Sequence, residues 1–210
     1  MATNEAYEKA IARVKRDSDW ERSLVASTVI GVMRDRAVSS YYGMFAALTQ
    51  SLGGIPTVPY DVVFSEKAAG YVEESLDRLP VVGEQPIYPL FGHESDLIGQ
   101  MARLLTVCRE GETLDDETRE IINRDIAALE ITVSDMEDGD YITHLRNAIA
   151  HGHFGAEVDR EDPLGKSKLV FVDVKPWNEE VTAVIETNAD QLNAVIDAII
   201  DGMCGYLAHS

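Results

Sequence analysis

The part of this chain richest in side chains able to do chemistry is ITHLRNAIAHGHFG, which begins at position 142. It holds three of the chain's five histidines, together with an arginine and an asparagine. An imidazole can take or give a proton near neutral pH, and a guanidinium can stabilise negative charge that develops on a phosphate. These residue types therefore suit RNA cleavage, provided that one element brings them together.

A helix over this stretch would separate its side chains into two stripes, because each residue advances by about 100°. The apolar positions fall together and are predicted to be buried: Ile142, Leu145 and Ile149. The polar positions fall within roughly 40–60° of one another on the opposite side: His144, Asn147 and His151. Arg146 flanks the polar stripe, about 140° from His151, and its long side chain can curl towards that histidine. The same geometry suits a site completed by a second copy of the helix.

His151 stands directly before Gly152, a residue type that commonly follows the end of a helix. The negative end of the helix dipole favours a cationic side chain at that position. A histidine there stabilises the helix by about 0.3–1 kcal/mol even when it has no catalytic role. From the residues alone, the stretch is therefore either a capped helix end or a functional site.

The segment LRNAIAHG resembles the signature of the HEPN superfamily, in which an arginine is followed by four to six residues and then a histidine. A polar residue usually follows the arginine directly, so Arg146, Asn147 and His151 match the three positions in order. The resemblance implies a helical bundle that acts as a metal-independent endoribonuclease without a cofactor. It also implies a homodimer in which the two motifs meet in a cleft.

In the mechanism that this resemblance implies, the RNA 2′-hydroxyl attacks the adjacent phosphate and leaves a 2′,3′-cyclic phosphate. His151 would transfer protons, Arg146 would stabilise the phosphorane, and Asn147 would orient the phosphate or the histidine. His144, on the same polar stripe, is predicted to help bind the substrate. Many proteins of this family are toxins or antiviral effectors, so RNA is expected as a transient substrate.

The resemblance also implies regulatory partners and an alternative function. A cognate antitoxin or a nucleotidyltransferase silences some HEPN toxins, the latter through a tyrosine two residues after the motif histidine. This chain has His153 at that position, so that control does not carry over. Some members keep the fold but bind a nucleotide or a protein partner without cleaving, and this non-catalytic function is the alternative.

The composition and charge of the chain argue against several classes of protein. The formal net charge of −19 speaks against a protein that coats nucleic acid, although it allows an enzyme that handles RNA briefly. No apolar run is long enough for a membrane span, and the N-terminus lacks the apolar core of a signal peptide. Cys108 and Cys204 are predicted to be core thiols, as in the reducing cytoplasm. No cysteine or third histidine accompanies His151 and His153 closely enough in sequence to predict a metal site.

The remaining sequence predicts a mainly α chain that forms one domain over 1–210, and the resemblance implies that this domain is a HEPN-like bundle. Helices are expected at 4–16, from Ser18 or Asp19 to Gly53-Gly54, and at 65–79. Two more are expected at 94–110 and 113–136, the second on a 4-3-4-3 spacing of apolar residues from Ile122 to Met136. Trp20 and Trp177 are predicted to be core or interface aromatics.

A small β excursion is predicted at about 153–186, inserted before the C-terminal helix. HFGAEVD and KLVFVDV favour an antiparallel hairpin, and VTAVIET favours a third strand. The last helix is expected from Asn188, with Thr187 and Asp190 as its cap, as Thr113 and Asp116 are expected to cap the helix at 113–136. The predicted apolar stripe of the last helix consists of Leu192, Val195, Ile196, Ile199, Met203 and Leu207. The stripe predicted for the helix at 94–110 consists of Leu97, Ile98, Met101, Leu104, Leu105 and Cys108.

Overall fold

The computed structural model describes residues 4–16, 19–51, 87–88, 93–109, 113–157 and 168–209. Within these ranges the helices are α1 (Asn4–Arg16), α2 (Trp20–Ser51), α3 (His93–Arg109), α4 (Asp116–Ala127), α5 (Tyr141–Ala150) and α6 (Ala189–Ala208). The strands are β1 (Ile87–Tyr88), β2 (Thr132–Ser134), β3 (Phe154–Glu157), β4 (Lys168–Val174) and β5 (Val181–Thr187). The predicted helix at 65–79 lies outside the described residues.

Helix α6 is the centre of the helical layer, since α1, α2, α3 and α4 all pack against it. Its predicted apolar stripe is confirmed, because every position on it is buried: Leu192, Val195, Ile196, Ile199, Met203 and Leu207. The stripe predicted for α3 is buried as well, and α3 contacts α2, α5 and α6. None of the described helices is both long enough and apolar enough to cross a membrane.

The strands form one antiparallel sheet in the order β1-β3-β4-β5-β2. The predicted pairing of HFGAEVD with KLVFVDV is confirmed, with Phe154 opposite Phe171, and VTAVIET adds the third strand. The sheet nevertheless extends beyond the predicted β excursion, because β1 and β2 come from earlier in the chain. It packs against α5 through β4 and β5, so it forms a second layer of the fold.

The helix predicted over 113–136 is wrong in its second half. It ends at Ala127, Glu130 takes a left-handed backbone with φ 53°, and Thr132–Ser134 becomes β2. The consecutive β-branched residues Ile131, Thr132 and Val133 favour a strand, and β2 gains backbone hydrogen bonds by pairing with β5. The regular spacing of apolar residues therefore continued past the true end of the helix.

The predicted caps of two helices are displaced by one or two residues. Asp115, not Thr113, caps α4, because its carboxylate accepts a hydrogen bond from the Thr118 backbone N–H at 2.7 Å. Asn188 caps α6 in a reciprocal capping box with Gln191. In each case the neighbouring Asp or Asn is a better N-cap than threonine.

Candidate functional site

Both ends of α5 are fixed by specific hydrogen bonds. At its start, Asp140 caps the Thr143 backbone N–H at 3.1 Å and accepts a bond from the Asn123 side chain of α4. Asn123 also accepts a hydrogen bond from the Ile142 N–H at 3.0 Å. The α4 side chain thus ties the first turn of α5 to the helical layer, and this sets where the polar stripe of α5 points.

The C-terminal end of α5 forms a Schellman motif, as the glycine in the sequence indicated. Gly152 has a φ of 72°, and its N–H bonds to the Ile149 carbonyl at 3.1 Å. The His153 N–H bonds to the Ala148 carbonyl at 2.8 Å, which completes the motif. His151 is the exposed C-cap residue, at the position predicted for it.

The polar side of α5 faces an open cleft of about 960 Å³. Its other walls are the loop that precedes α5 and the end of β4 with the turn into β5. All four side chains predicted to form the site line this cleft: Arg146, His151, Asn147 and His144. Arg146 is partly buried, and it shares the cleft with His151 despite the wide angle between them on the helix.

Beneath the cleft, His144 is held between two carboxylates. Its Nδ1 lies 2.8 Å from Asp173 Oδ2 of β4, and its Nε2 lies 3.0 Å from Asp138 Oδ1. Asn147 donates from Nδ2 to the same Asp173 oxygen at 2.9 Å. Asp173 therefore joins two neighbouring side chains of α5 to the sheet.

The ionisation of this group follows from its hydrogen bonds. The bond to Asp173 is the largest effect on His144, and with Asp138 it raises the pKa of the imidazole despite partial burial. Burial alone would raise the pKa of Asp173, but the bonds from His144 and Asn147 outweigh it, so that pKa is lowered. The pKa of Asp138 is lowered chiefly by a bond from the Asp140 backbone N–H. The two carboxylates thus favour the cationic form of His144.

This arrangement differs from the substrate-binding role predicted for His144. The residue is 7% exposed, and both of its ring nitrogens have partners within the protein. The helix pattern placed it correctly on the polar side, but the sheet covers that part of the helix. His144 therefore links α5 to the sheet, and the other three predicted side chains are more exposed than it is: Arg146, Asn147 and His151.

Sequence reasoning missed two residues of the cleft. Asp173 is the one acidic residue in KLVFVDV, and a lone carboxylate in an otherwise apolar buried strand was a usable signal. Trp177 also lines the cleft and is 76% exposed, while Trp20 on α2 is 67% exposed. Neither tryptophan is a core residue, so the prediction that they lie in the core is wrong.

The charges along the cleft are unevenly distributed. Two carboxylates face His144, and Glu180 forms an ion pair with Lys175 at 2.8 Å. Asp135 and Glu137 add negative charge on the loop side, whereas Arg146 provides a cationic group on the helix. The negative charge is therefore concentrated on the loop side of the cleft, and the positive charge of Arg146 lies on its helix side.

Two observations bear on metal ions near the site. The rings of His151 and His153 lie 5.9 Å apart, centroid to centroid, and are tilted by 34°. Over the described ranges, no group of three His, Cys, Asp or Glu side chains is arranged to hold a metal ion.

No protein family model, curated protein or solved structure matches this chain.

Proposed function

We propose that this protein is a metal-independent endoribonuclease of toxin or antiviral type. The observation that carries the proposal is that Arg146, Asn147 and His151 all line one open cleft. Their types and order come from the HEPN-like motif, and a proton-transfer group beside a guanidinium suits phosphodiester transesterification. Asn147 is restrained by Asp173, so its amide is held in place to orient the phosphate.

The proposed reaction needs no external reactant. The RNA 2′-oxygen bonds to phosphorus, the bond to the 5′-oxygen breaks, and a 2′,3′-cyclic phosphate and a 5′-hydroxyl remain. One proton must leave the 2′-hydroxyl and another must reach the 5′-oxygen. His151 serves in proton transfer, and Arg146 stabilises the charge on the phosphorane.

A homodimer fits this proton balance. One imidazole can take the proton from the 2′-hydroxyl and then give one to the 5′-oxygen, whereas two imidazoles can make both transfers together. His151 is the exposed histidine among the described residues that line the cleft. His144 is already bonded on both nitrogens. A second copy of α5 facing the first would supply the second histidine and a second arginine.

Cleavage of a labelled single-stranded RNA in EDTA tests the proposal. The variants are Arg146→Ala and His151→Ala, with His209→Ala as a matched control because His209 is exposed at the end of α6 and does not line the cleft. We expect each cleft variant to lose about 100-fold or more in rate, the usual contribution of such groups, and the control to cut normally. Absence of cutting on several RNAs, or equal cutting by all variants, would contradict it.

The second candidate is a non-catalytic bundle that binds a nucleotide or a protein partner in the same cleft. The observation that favours it is the negative charge on the loop side, where Asp135 and Glu137 would attract a basic protein segment and repel RNA. Binding of a partner without any RNA cleavage, weakened by Asp135→Asn together with Glu137→Gln, would support this function over the first.

A further inference from the structure

Trp177 is an exposed aromatic residue in a cleft otherwise lined mainly by polar groups. It lies in the turn between β4 and β5, and 76% of its surface is accessible. An indole of this size normally buries its apolar faces in the core or against a partner. Its exposed indole lines the same cleft as Arg146 and is open to a ligand there.

The turn that carries Trp177 is well restrained. The Lys175 N–H donates to the Glu180 carbonyl at 2.9 Å, and the Glu179 N–H donates to the Lys175 carbonyl at 3.0 Å. Glu180 also accepts side-chain bonds from Lys175 and from Asn178. The backbone that presents the indole is therefore ordered before any ligand binds, which lowers the entropy cost of binding.

We propose that Trp177 is the base-stacking residue of the cleft and that the substrate is consequently single-stranded RNA. The proposal rests on the proposed ribonuclease function, and it names the substrate class. Arg146 gives the cleft a cationic group for a phosphate, and Trp177 gives it a flat apolar face of the kind on which an unpaired base stacks. Both side chains line the same cavity, so a short strand bound in it can meet both.

The inference restricts the substrate in a specific way. In a duplex, each base is already stacked and paired, so it reaches an indole only after unstacking at a cost of a few kcal/mol. An unpaired base in a loop or a single strand avoids most of this cost. Stacking on one indole is tolerant of base identity, so we expect single-strand preference without strict sequence specificity.

The two tryptophans of the chain provide the test, since each can be made the sole reporter. The probe is a single-stranded hexanucleotide with 2′-methoxy groups, which cannot undergo the proposed cleavage. We expect it to quench the fluorescence of Trp20→Phe, in which Trp177 remains, and not that of Trp177→Phe. The same strand with abasic sites keeps its phosphates and should quench at least about fivefold less effectively.

A variant without the indole shows how much Trp177 contributes to the affinity for the hexanucleotide. Trp177→Ala should bind the hexanucleotide roughly 5- to 150-fold more weakly, the range typical of one stacked base. Trp20→Ala is the matched control, because Trp20 is similarly exposed but outside the residues that line the cleft. Equal affinity of both variants, or quenching that the abasic strand reproduces, would overturn the proposal.

The outcome is separable from that of the proposed nuclease. RNA cleavage that requires His151 but is unchanged in Trp177→Ala would keep the nuclease and reject the stacking residue. Base-dependent quenching of Trp177 without cleavage would keep the stacking residue and reject the nuclease. Preference for a duplex over the single strand in the binding assay would reject the substrate class.

Discussion

Two carboxylates bond the same imidazole, and the structure predicts that their removal will have very different effects. Asp173 and His144 are both buried, with side chains that are each 8% exposed. Asp138 is on the surface, with 61% of its side chain exposed. The test is to compare Asp173→Ala with Asp138→Ala.

The expected loss of unfolding free energy depends on which hydrogen-bond donors each substitution leaves without an acceptor. Asp173→Ala removes the acceptor of two bonds, from His144 at 2.8 Å and from Asn147 at 2.9 Å, and leaves two donors beneath the sheet. Removing one partner of a buried charged pair lowers the free energy of unfolding by about 3–5 kcal/mol. Asp138→Ala breaks the bonds from His144 and from the Asp140 backbone N–H. Water can replace both at this exposed carboxylate, so the cost is about 1 kcal/mol or less.

The difference should depend on pH in a defined direction. The pKa of His144 is raised from its ordinary 6.5, so the stability from its charge is complete below that pH and is lost as the pH rises through the folded-state value. The pKa of Asp173 is lowered from 3.8, so its contribution is present above that pH and disappears as the pH falls through its folded-state value. Asp173→Ala should therefore be most destabilising between about pH 4 and 6.5 and less so at pH 9.

Urea unfolding at pH 6 and pH 9, followed by circular dichroism, measures both effects. The double variant Asp173→Ala with His144→Ala should lose less stability than the sum of the two single changes, because the lone imidazole is gone. A cost below about 1 kcal/mol for Asp173→Ala, or equal costs at the two carboxylates, would refute the reasoning from burial.

Three further predictions concern the scaffold. Gly202→Ala places a methyl group against Ile122 Cγ1 and should lower the free energy of unfolding in urea by about 1–3 kcal/mol. Gly205→Ala meets open space and should be neutral or stabilising by up to about 1 kcal/mol. Equal effects of the two substitutions would contradict the packing of α4 on α6. Asn188→Ala removes the capping box of α6 and should lower the unfolding free energy by about 0.5–2 kcal/mol, so an unchanged urea midpoint would argue against that cap. Burial raises the pKa of the Cys108 thiol to about 12, and it should react with a disulfide reagent at pH 8 only after unfolding; rapid reaction of the folded protein at this thiol would count against its burial.

The predictions that succeeded depend on local pattern. The stripe of α6 is correct because 3.6-residue periodicity continues over the whole helix and decides which face is buried. The end of α5 is correct because Gly152 supplies the positive φ that the Schellman motif needs. These features are set by residues close in sequence, and sequence reasoning is strongest there.

The one helix half that was predicted wrongly, and the contacts that sequence reasoning missed, depend on distant segments of the chain. Residues 132–134 follow the spacing of a helix, yet they pair with a strand about 50 residues later. Asp173 reaches His144 across 29 positions of sequence. Nothing in the helical stripe of α5 could reveal that the sheet covers His144 and leaves His151 exposed, because that depends on how the two layers pack.

The chemical end groups left on a cut RNA are the most direct test of the proposed ribonuclease activity. A single-stranded RNA and its 2′-methoxy analogue would be incubated in EDTA with the wild-type protein and with His151→Ala, and the products would be resolved by mass spectrometry. We predict 2′,3′-cyclic phosphate and 5′-hydroxyl ends from the wild type on RNA, and no products from the analogue or from the variant. Products with 5′-phosphate ends, cutting of the analogue, or undiminished cutting by His151→Ala would contradict it.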